Sequence, residues 1–157
     1  MSTASEQSES TARENNDRIL FVAIAILALA GLLVSAVSLQ RHYAKSATAF
    51  FDIGEKFNCD IVNRSEYSSI MGIPVAGIGV VGYGLLLALA TGYRSHRETP
   101  LRLLLAAAAG LAFALYLTYV EGRILDTWCV LCLSSLAIIV MIAVLASAIK
   151  VRGRFNA

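Results

Sequence analysis

Two of the three cysteines in this chain stand three residues apart, in Trp128-Cys129-Val130-Leu131-Cys132, and the third, Cys59, lies far upstream. Side chains at i and i+3 share one face of a helix. Cys129 and Cys132 can therefore form a small-ring disulfide, and a third thiol on the same side can attack it and exchange with it. The pair falls where an apolar run begins. Free N–H groups and the macrodipole at a helix start favour a thiolate there. Cys129, nearer that start, is the expected thiolate and the more exposed sulfur, while Cys132 sits one turn deeper. Two other readings fit the same residues. Buried cysteines are common, so the pair can be ordinary helix packing. A zinc site needs four ligands, and only His42 or a carboxylate could be added to the three sulfurs.

The elements that must position these sulfurs are apolar. The chain has 157 residues, of which 57% are hydrophobic and only 15% charged, and its mean hydropathy is +0.68. Soluble domains run at about 45–50% and about 25%. Four stretches carry the hydrophobicity: Ile19–Leu39, Ile73–Tyr93, Leu101–Val120 and Trp128–Ile149. Each is about 20 residues, and at about 1.5 Å per residue each spans a hydrocarbon core of about 30 Å. Backbone in lipid must satisfy its own hydrogen bonds, so these are helices. Four buried helices of a soluble protein would leave too few charges to solvate the body. The expected fold is an all-α membrane protein, a four-transmembrane-helix bundle over residues 19–149 with a long extracytoplasmic loop between helices 1 and 2. Residues 1–18, rich in Ser, Glu and Asn, read as a disordered cytoplasmic tail. Residues 150–157 read as a basic cytoplasmic tail. The first apolar stretch exceeds the length of a signal-peptide core, so it reads as an uncleaved helix. No cluster of Lys and Arg offers a face to nucleic acid.

With four spans, both termini share a side with the loop between spans two and three. Arg13, Arg18, Arg94, Arg97, Arg102, Lys150, Arg152 and Arg154 make eight basic residues on that side. Arg41, Lys45, Lys56, Arg64 and Arg123 make five on the other, most of them in a long loop with Asp52, Glu55, Asp60 and Glu66. The denser short flanks are cytoplasmic by the positive-inside rule. All three cysteines then face outward, in a bacterium the oxidising side. His42 and His96 fall on opposite sides and read as interfacial.

The residues assembled so far resemble the vitamin K epoxide reductase family, including its bacterial disulfide-forming members. One segment runs from Asn58-Cys59-Asp60 to Gly72-Ile73-Pro74. It is similar to the family's outer loop in having a Cys, a Ser six residues on at Ser65, an aromatic two further at Tyr67, and Gly-x-Pro entering the second helix. The other segment is the C-x-x-C opening the last helix. The resemblance covers roughly Ile19 to Ile149. It implies that Cys129 and Cys132 are the active site beside a quinone, menaquinone or ubiquinone, and that a thiol protein supplies the electrons. It implies Ser65 and Tyr67 at the quinone site. Two loop cysteines usually relay electrons in the family. Cys59 matches the second, but Phe51 stands where the first would be, and Leu136 stands where some members have a quinone-contacting Tyr.

Other motifs are weaker. Gly77-Ile78-Gly79-Val80-Val81-Gly82 reads as G-x-G-x-x-G, but inside a span small residues mean close helix packing. Ala106–Gly110 on the third span reads the same way. Asn63-Arg64-Ser65 is a glycosylation sequon of a kind common by chance. Tyr116 and Tyr119 read either as interfacial anchors or as quinone-pocket walls, and Trp128 reads as an anchor. The expected function is a quinone-linked thiol oxidase of the cell inner (cytoplasmic) membrane, multi-pass, with its active site on the extracytoplasmic side. Its catalytic residues are Cys129, Cys132 and Cys59, and it acts on an exported thioredoxin-fold partner. The rival expectation is a catalytically degenerate scaffold of the same fold. A small transporter or channel would need ionisable residues inside its spans, and the stretches above hold only Arg102.

Overall fold

The computed structural model describes residues 2–43, 59, 62, 65–70, 72–92 and 99–155. Four helices carry nearly all of them: α1 (Ser2–Tyr43), α2 (Val75–Thr91), α3 (Thr99–Val120) and α4 (Val130–Phe155). Three are long and apolar enough to cross a membrane, over Asn15–Tyr43, Thr99–Leu125 and Val130–Arg152. The apolar helix Val75–Thr91 has 17 residues, roughly 26 Å at the helical rise, the lower end of what spans a bilayer.

The expected boundaries shift at several ends. The segment read as a disordered tail is helical from Ser2. Neither Pro nor Gly occurs before Gly31, and Ala, Glu, Gln and Arg in this stretch are good helix formers. Likewise α4 runs on to Phe155, so most of the expected C-terminal tail continues the helix. At the start of α2, Ile73–Pro74 forms a short antiparallel ladder, β2, with Ser69–Ile70, β1. Gly72 turns the chain between them at φ 84, a conformation that glycine adopts without a Cβ penalty. Pro74 then caps α2 from an extended conformation.

Helix α1 packs against α2 and α4, and α3 packs against α4 and α2, which closes a four-helix ring. Each helix contributes a large–small pair at i, i+4 to the core: Ile24/Ala28, Leu86/Ala90, Leu103/Ala107 and Ile142/Ala146. The small members let neighbouring backbones approach, which is how helices associate where lipid removes the hydrophobic drive. Large apolar side chains on the outside, among them Ile26, Val81, Leu105 and Val144, are more than half exposed. A bundle with this outer surface is matched to a lipid solvent.

The closest approach is at Gly31, where a Cβ would collide with the ring of Tyr83. That ring crosses α1 to reach α4, where the Tyr83 hydroxyl meets the carbonyl and Oγ of Ser135, each at 2.9 Å. Within the glycine triplet of α2 only the middle member is as crowded, since a Cβ at Gly77 would make ordinary contacts and one at Gly82 would meet nothing within 4 Å. A Cβ at Gly79 would lie 2.7 Å from Ser35 Oγ of α1. Gly110 of α3 is less tight but still close, with a Cβ placed 3.2 Å from Ile139 Cδ1. Gly31→Ala should destabilise the bundle by about 1–3 kcal/mol in detergent, as overpacking does. On a Tyr83→Leu background the same substitution should cost clearly less. An equal cost in both backgrounds contradicts this packing.

Candidate active site

The site is built where α3 ends. After Val120 the chain makes a π-helical turn, Glu121–Leu125, and stops at Asp126 in the left-handed conformation, φ 45. Asp is one of the few non-glycine residues that visit this region routinely. Trp128 folds back over Gly122, where a Cβ would come 3.1 Å from its Cη2. The turn buries Glu121, 2% exposed, beneath the start of α4. Its backbone carbonyl accepts the Thr127 N–H at 3.3 Å. Its Oε2 accepts the Cys129 N–H at 3.1 Å. The first N–H groups of a helix lack intrahelical partners, and an anion there is favoured. Glu121 thus holds Cys129 as the last residue before α4, and the Leu133 N–H donates back to the Cys129 carbonyl at 3.0 Å.

The three sulfurs gather around this point. Cys59 and Cys129 are both buried, in a small cluster with Val62 and Leu131, against which Val34, Val130 and Cys132 pack. The Cys59 thiol hydrogen-bonds with Cys129, and Cys129 with Cys132. The sequence placed these two neighbours around Cys129, but the expectation that Cys129 is exposed is corrected: it is wholly buried, and Cys132 is the partly exposed sulfur. The expectation of a thiolate at Cys129 is corrected too. The hydrogen bond with the Cys132 thiol, then burial, push the Cys129 thiol up to about 12, although Cys59 acts the other way. The Cys59 thiol is also raised, first by its bond with Cys129 and then by burial. The Cys132 backbone N–H acts the other way, as a donor at a helix start does, but it is outweighed.

Cys132 opens onto a cavity of about 390 Å³ enclosed by all four helices. Phe113, Leu117, Leu131 and Ile139 are among its apolar walls, and Ser35, Ser38, Tyr83, Ser135 and Glu121 are among its polar groups. Ser65 and Tyr67, expected at the quinone site, line it as well. Ser65 is pinned by its Oγ donating to the Val62 carbonyl at 2.8 Å. Ser68 Oγ in turn donates to the Ser65 carbonyl at 2.6 Å. Tyr116 and Tyr119 are not on the cavity wall. They are largely exposed on α3, because Gly110, Phe113, Ala114, Leu117 and Glu121 form the inward stripe at helical spacing and residues 116 and 119 fall outside it. Their role as pocket walls is therefore set aside. His42 lines the cavity, edge-on to Tyr43 with ring centroids 5.2 Å apart. Phe51, His96 and the first two residues of the sequon lie outside the described residues.

Sequence reasoning missed Glu121, Tyr83 and Ser135. Glu121 carried a readable signal, an acid immediately after an apolar run and eight residues before a cysteine pair. Placing the end of the span at Val120 put it in a loop and hid it.

A comparison with protein-family models matches residues 22–147 to the vitamin K epoxide reductase family. The chain belongs to that family. A comparison with curated proteins gives no match. Membership makes the chain a membrane redox enzyme of the kind that acts on thiols and quinones. The resemblance first seen in the outer loop and the C-x-x-C thus holds over most of the chain, and the bundle of apolar helices is the multi-pass membrane body that such an enzyme requires.

The buried thiols give a pH signature. The folded reduced protein holds the Cys129 proton to a higher pH than an ordinary thiol does, whereas the unfolded chain releases it near the ordinary value of about 8.5. The stabilisation is fully present below the ordinary value and is lost as pH rises toward the folded one. The melting temperature of the reduced protein should therefore fall between about pH 8.5 and 10.5, more steeply than that of Cys59→Ser/Cys129→Ser. Equal slopes contradict the assignment.

Proposed function

We propose that this enzyme is a quinone-linked thiol oxidase, taking electrons from an exported thioredoxin-fold dithiol protein and passing them to menaquinone or ubiquinone in the membrane. The observation that carries this reading is the line of sulfurs. Cys59, from the segment between α1 and α2, meets Cys129, Cys129 meets Cys132, and Cys132 faces the cavity. Each neighbouring pair is one disulfide exchange apart.

The cavity suits a quinone. Its walls are mostly apolar, and hydroxyls on its lining such as Ser35 and Tyr67 can donate to ring oxygens, while the Ser65 and Tyr83 hydroxyl protons are given to the Val62 and Ser135 carbonyls. A quinone held there accepts the two electrons and two protons that a dithiol releases on closing to a disulfide. The chain's own work is the thiol chemistry. With Cys129 and Cys132 joined, a thiolate delivered by Cys59 attacks Sγ of Cys129 and releases the Cys132 thiol into the cavity. The partner then attacks the Cys59–Cys129 bridge, and its second thiol resolves the mixed disulfide. The partner leaves oxidised, and Cys59, Cys129 and Cys132 are left as thiols. Reoxidation of Cys129 and Cys132 closes the cycle, so two electrons move per disulfide made.

With Phe51 in place of a first loop cysteine, no intraloop disulfide relays the electrons, so the partner must reach a bond that includes Cys129 itself. The basic residues that flank the spans support an extracytoplasmic site in the inner membrane, where such a partner resides.

Proteoliposomes supplied with menaquinone-4 or ubiquinone-1 and a reduced thioredoxin-fold protein test the reading. Wild type should reduce the quinone, and Cys129→Ser and Cys132→Ser should both fall to the protein-free background. Activity retained in both variants would reduce the C-x-x-C to packing, and no activity in wild type would favour the scaffold. Non-reducing peptide mapping adds the order of exchange. Cys132→Ser lacks the resolving thiol and leaves Cys129 beside Cys59, so a Cys59–Cys129 disulfide should accumulate on oxidation. Its absence would remove Cys59 from the path.

A further inference from the structure

The thiols raise a problem that the relay alone does not solve. Closing the Cys129–Cys132 disulfide requires a thiolate, yet Cys129 is buried and the two sulfurs hydrogen-bond to one another as thiols. A base within the site has to take the first proton, since thiolate rather than thiol is the reactive form.

Glu121 has the placement for it. Its two oxygens are in different situations. Oε2 accepts the Cys129 N–H at 3.1 Å. Oε1 is buried and has no hydrogen-bond partner among the described residues. The Cys132 thiol lies close enough to interact with this carboxylate, and both groups line the same cavity. Among the described residues no lysine or arginine lines that cavity, so none of them there is a cation for the carboxylate to neutralise. Anchoring the start of α4 through one N–H also fails to explain an acid, because the amide oxygen of glutamine would accept that bond without burying a charge, and buried unpaired charge is costly.

We propose that Glu121 is the catalytic base of the thiol-to-quinone step, accepting the Cys132 Sγ proton and returning it to the reduced quinone. The proposal rests on the reading of Cys132 as the sulfur at the quinone site. In the forward step the Cys132 S–H bond breaks and the proton passes to the Glu121 carboxylate. The Cys129 S–H bond breaks as the bond between the two sulfurs forms. The electron pair released goes to the quinone, which takes up two protons, one from the Glu121 carboxyl and one from Cys129. Two thiols and a quinone become a disulfide and a hydroquinone, and Glu121 ends as it began. Among the described residues, the other titratable groups around the carboxylate are Cys129 beside it, Cys59 behind Cys129, and His42, Tyr67 and Tyr83 on the cavity wall. Of these, His42 is the competing base.

The test needs no quinone. In the Cys59→Ser/Cys129→Ser protein, Cys132 is the sole cysteine and the Cys129 backbone N–H is kept. Its alkylation by iodoacetamide is followed against pH in detergent micelles. With Glu121 acting as a base, the alkylation rate should contain a contribution that grows as the carboxylate loses its proton. Glu121→Gln should remove that contribution and lower the rate near pH 6.5 by about tenfold or more, a modest general-base effect. Glu121→Asp should recover part of the rate, and His42→Gln should leave the profile in place. An unchanged profile in Glu121→Gln would make Glu121 an anchor only. A faster rate would make it an anion that merely repels the thiolate. A slowed rate in His42→Gln but not in Glu121→Gln would transfer the role to His42. Each of these overturns the proposal. The function read above fails separately: a protein that shows the Glu121 effect on alkylation but never reduces quinone refutes that function and leaves the base in place.

Discussion

The hydrogen bond from the Cys129 N–H to Glu121 Oε2 is the constraint on which the site depends. It joins the end of α3 to the beginning of α4 inside an apolar body, where a carboxylate without a partner would be costly. Satisfying that carboxylate dictates how tightly the chain turns after Val120. The π-helical turn tucks the side chain inward, Asp126 takes the left-handed conformation that ends it, and Gly122 leaves room for Trp128 to close over the turn. Once Cys129 is held at the helix start, the helical repeat does the rest. It carries Cys132 onto the cavity wall and leaves Cys129 to meet the segment that brings Cys59.

The chemistry departs from the simple picture of a cysteine activated by a helix dipole, chiefly because Cys129 hydrogen-bonds with Cys132 and is buried. The dipole's positive end is occupied by the protein's own carboxylate, and the sulfurs around it hydrogen-bond to one another as thiols. The bundle contributes rigidity rather than chemistry. Tyr83 bridges α1 and α4 through Gly31 and Ser135, and the large–small pairs hold the walls around the cavity.

Much of the architecture could be read from residue types, because lipid leaves a chain few options. Apolar runs of about 20 residues must be helices, and the glycines and alanines within them mark close approach. The cysteine spacing marked two of the three sulfurs that the fold gathers, and the loop residues Cys59, Ser65 and Tyr67 pointed to the family. What escaped was whatever depended on the exact end of an element. Hydropathy placed the boundary at Val120 and so cast Glu121 as a loop acid. It could not show that a five-residue π turn would bury it. The exposure of Cys129 was misjudged for the same reason, since position along a helix says nothing of what folds over its start. Tyr116 and Tyr119 lie at the right depth but on the wrong face, which only the packing of α3 reveals.

The most direct test of the central claim, that the sulfurs at the start of α4 deliver their electrons to a quinone, is a single anaerobic turnover. Fully reduced protein in proteoliposomes is mixed with one equivalent of menaquinone, with no thiol partner present. Quinone loss is followed by its ultraviolet absorbance, and the cysteines are mapped by mass spectrometry after acid quenching. The account predicts one hydroquinone per protein, the loss of two thiols, and a disulfide joining Cys129 to Cys132 or, after one exchange, to Cys59. Quinone left unreduced while all three thiols remain free, or reduced to the same extent in Cys132→Ser, would contradict it.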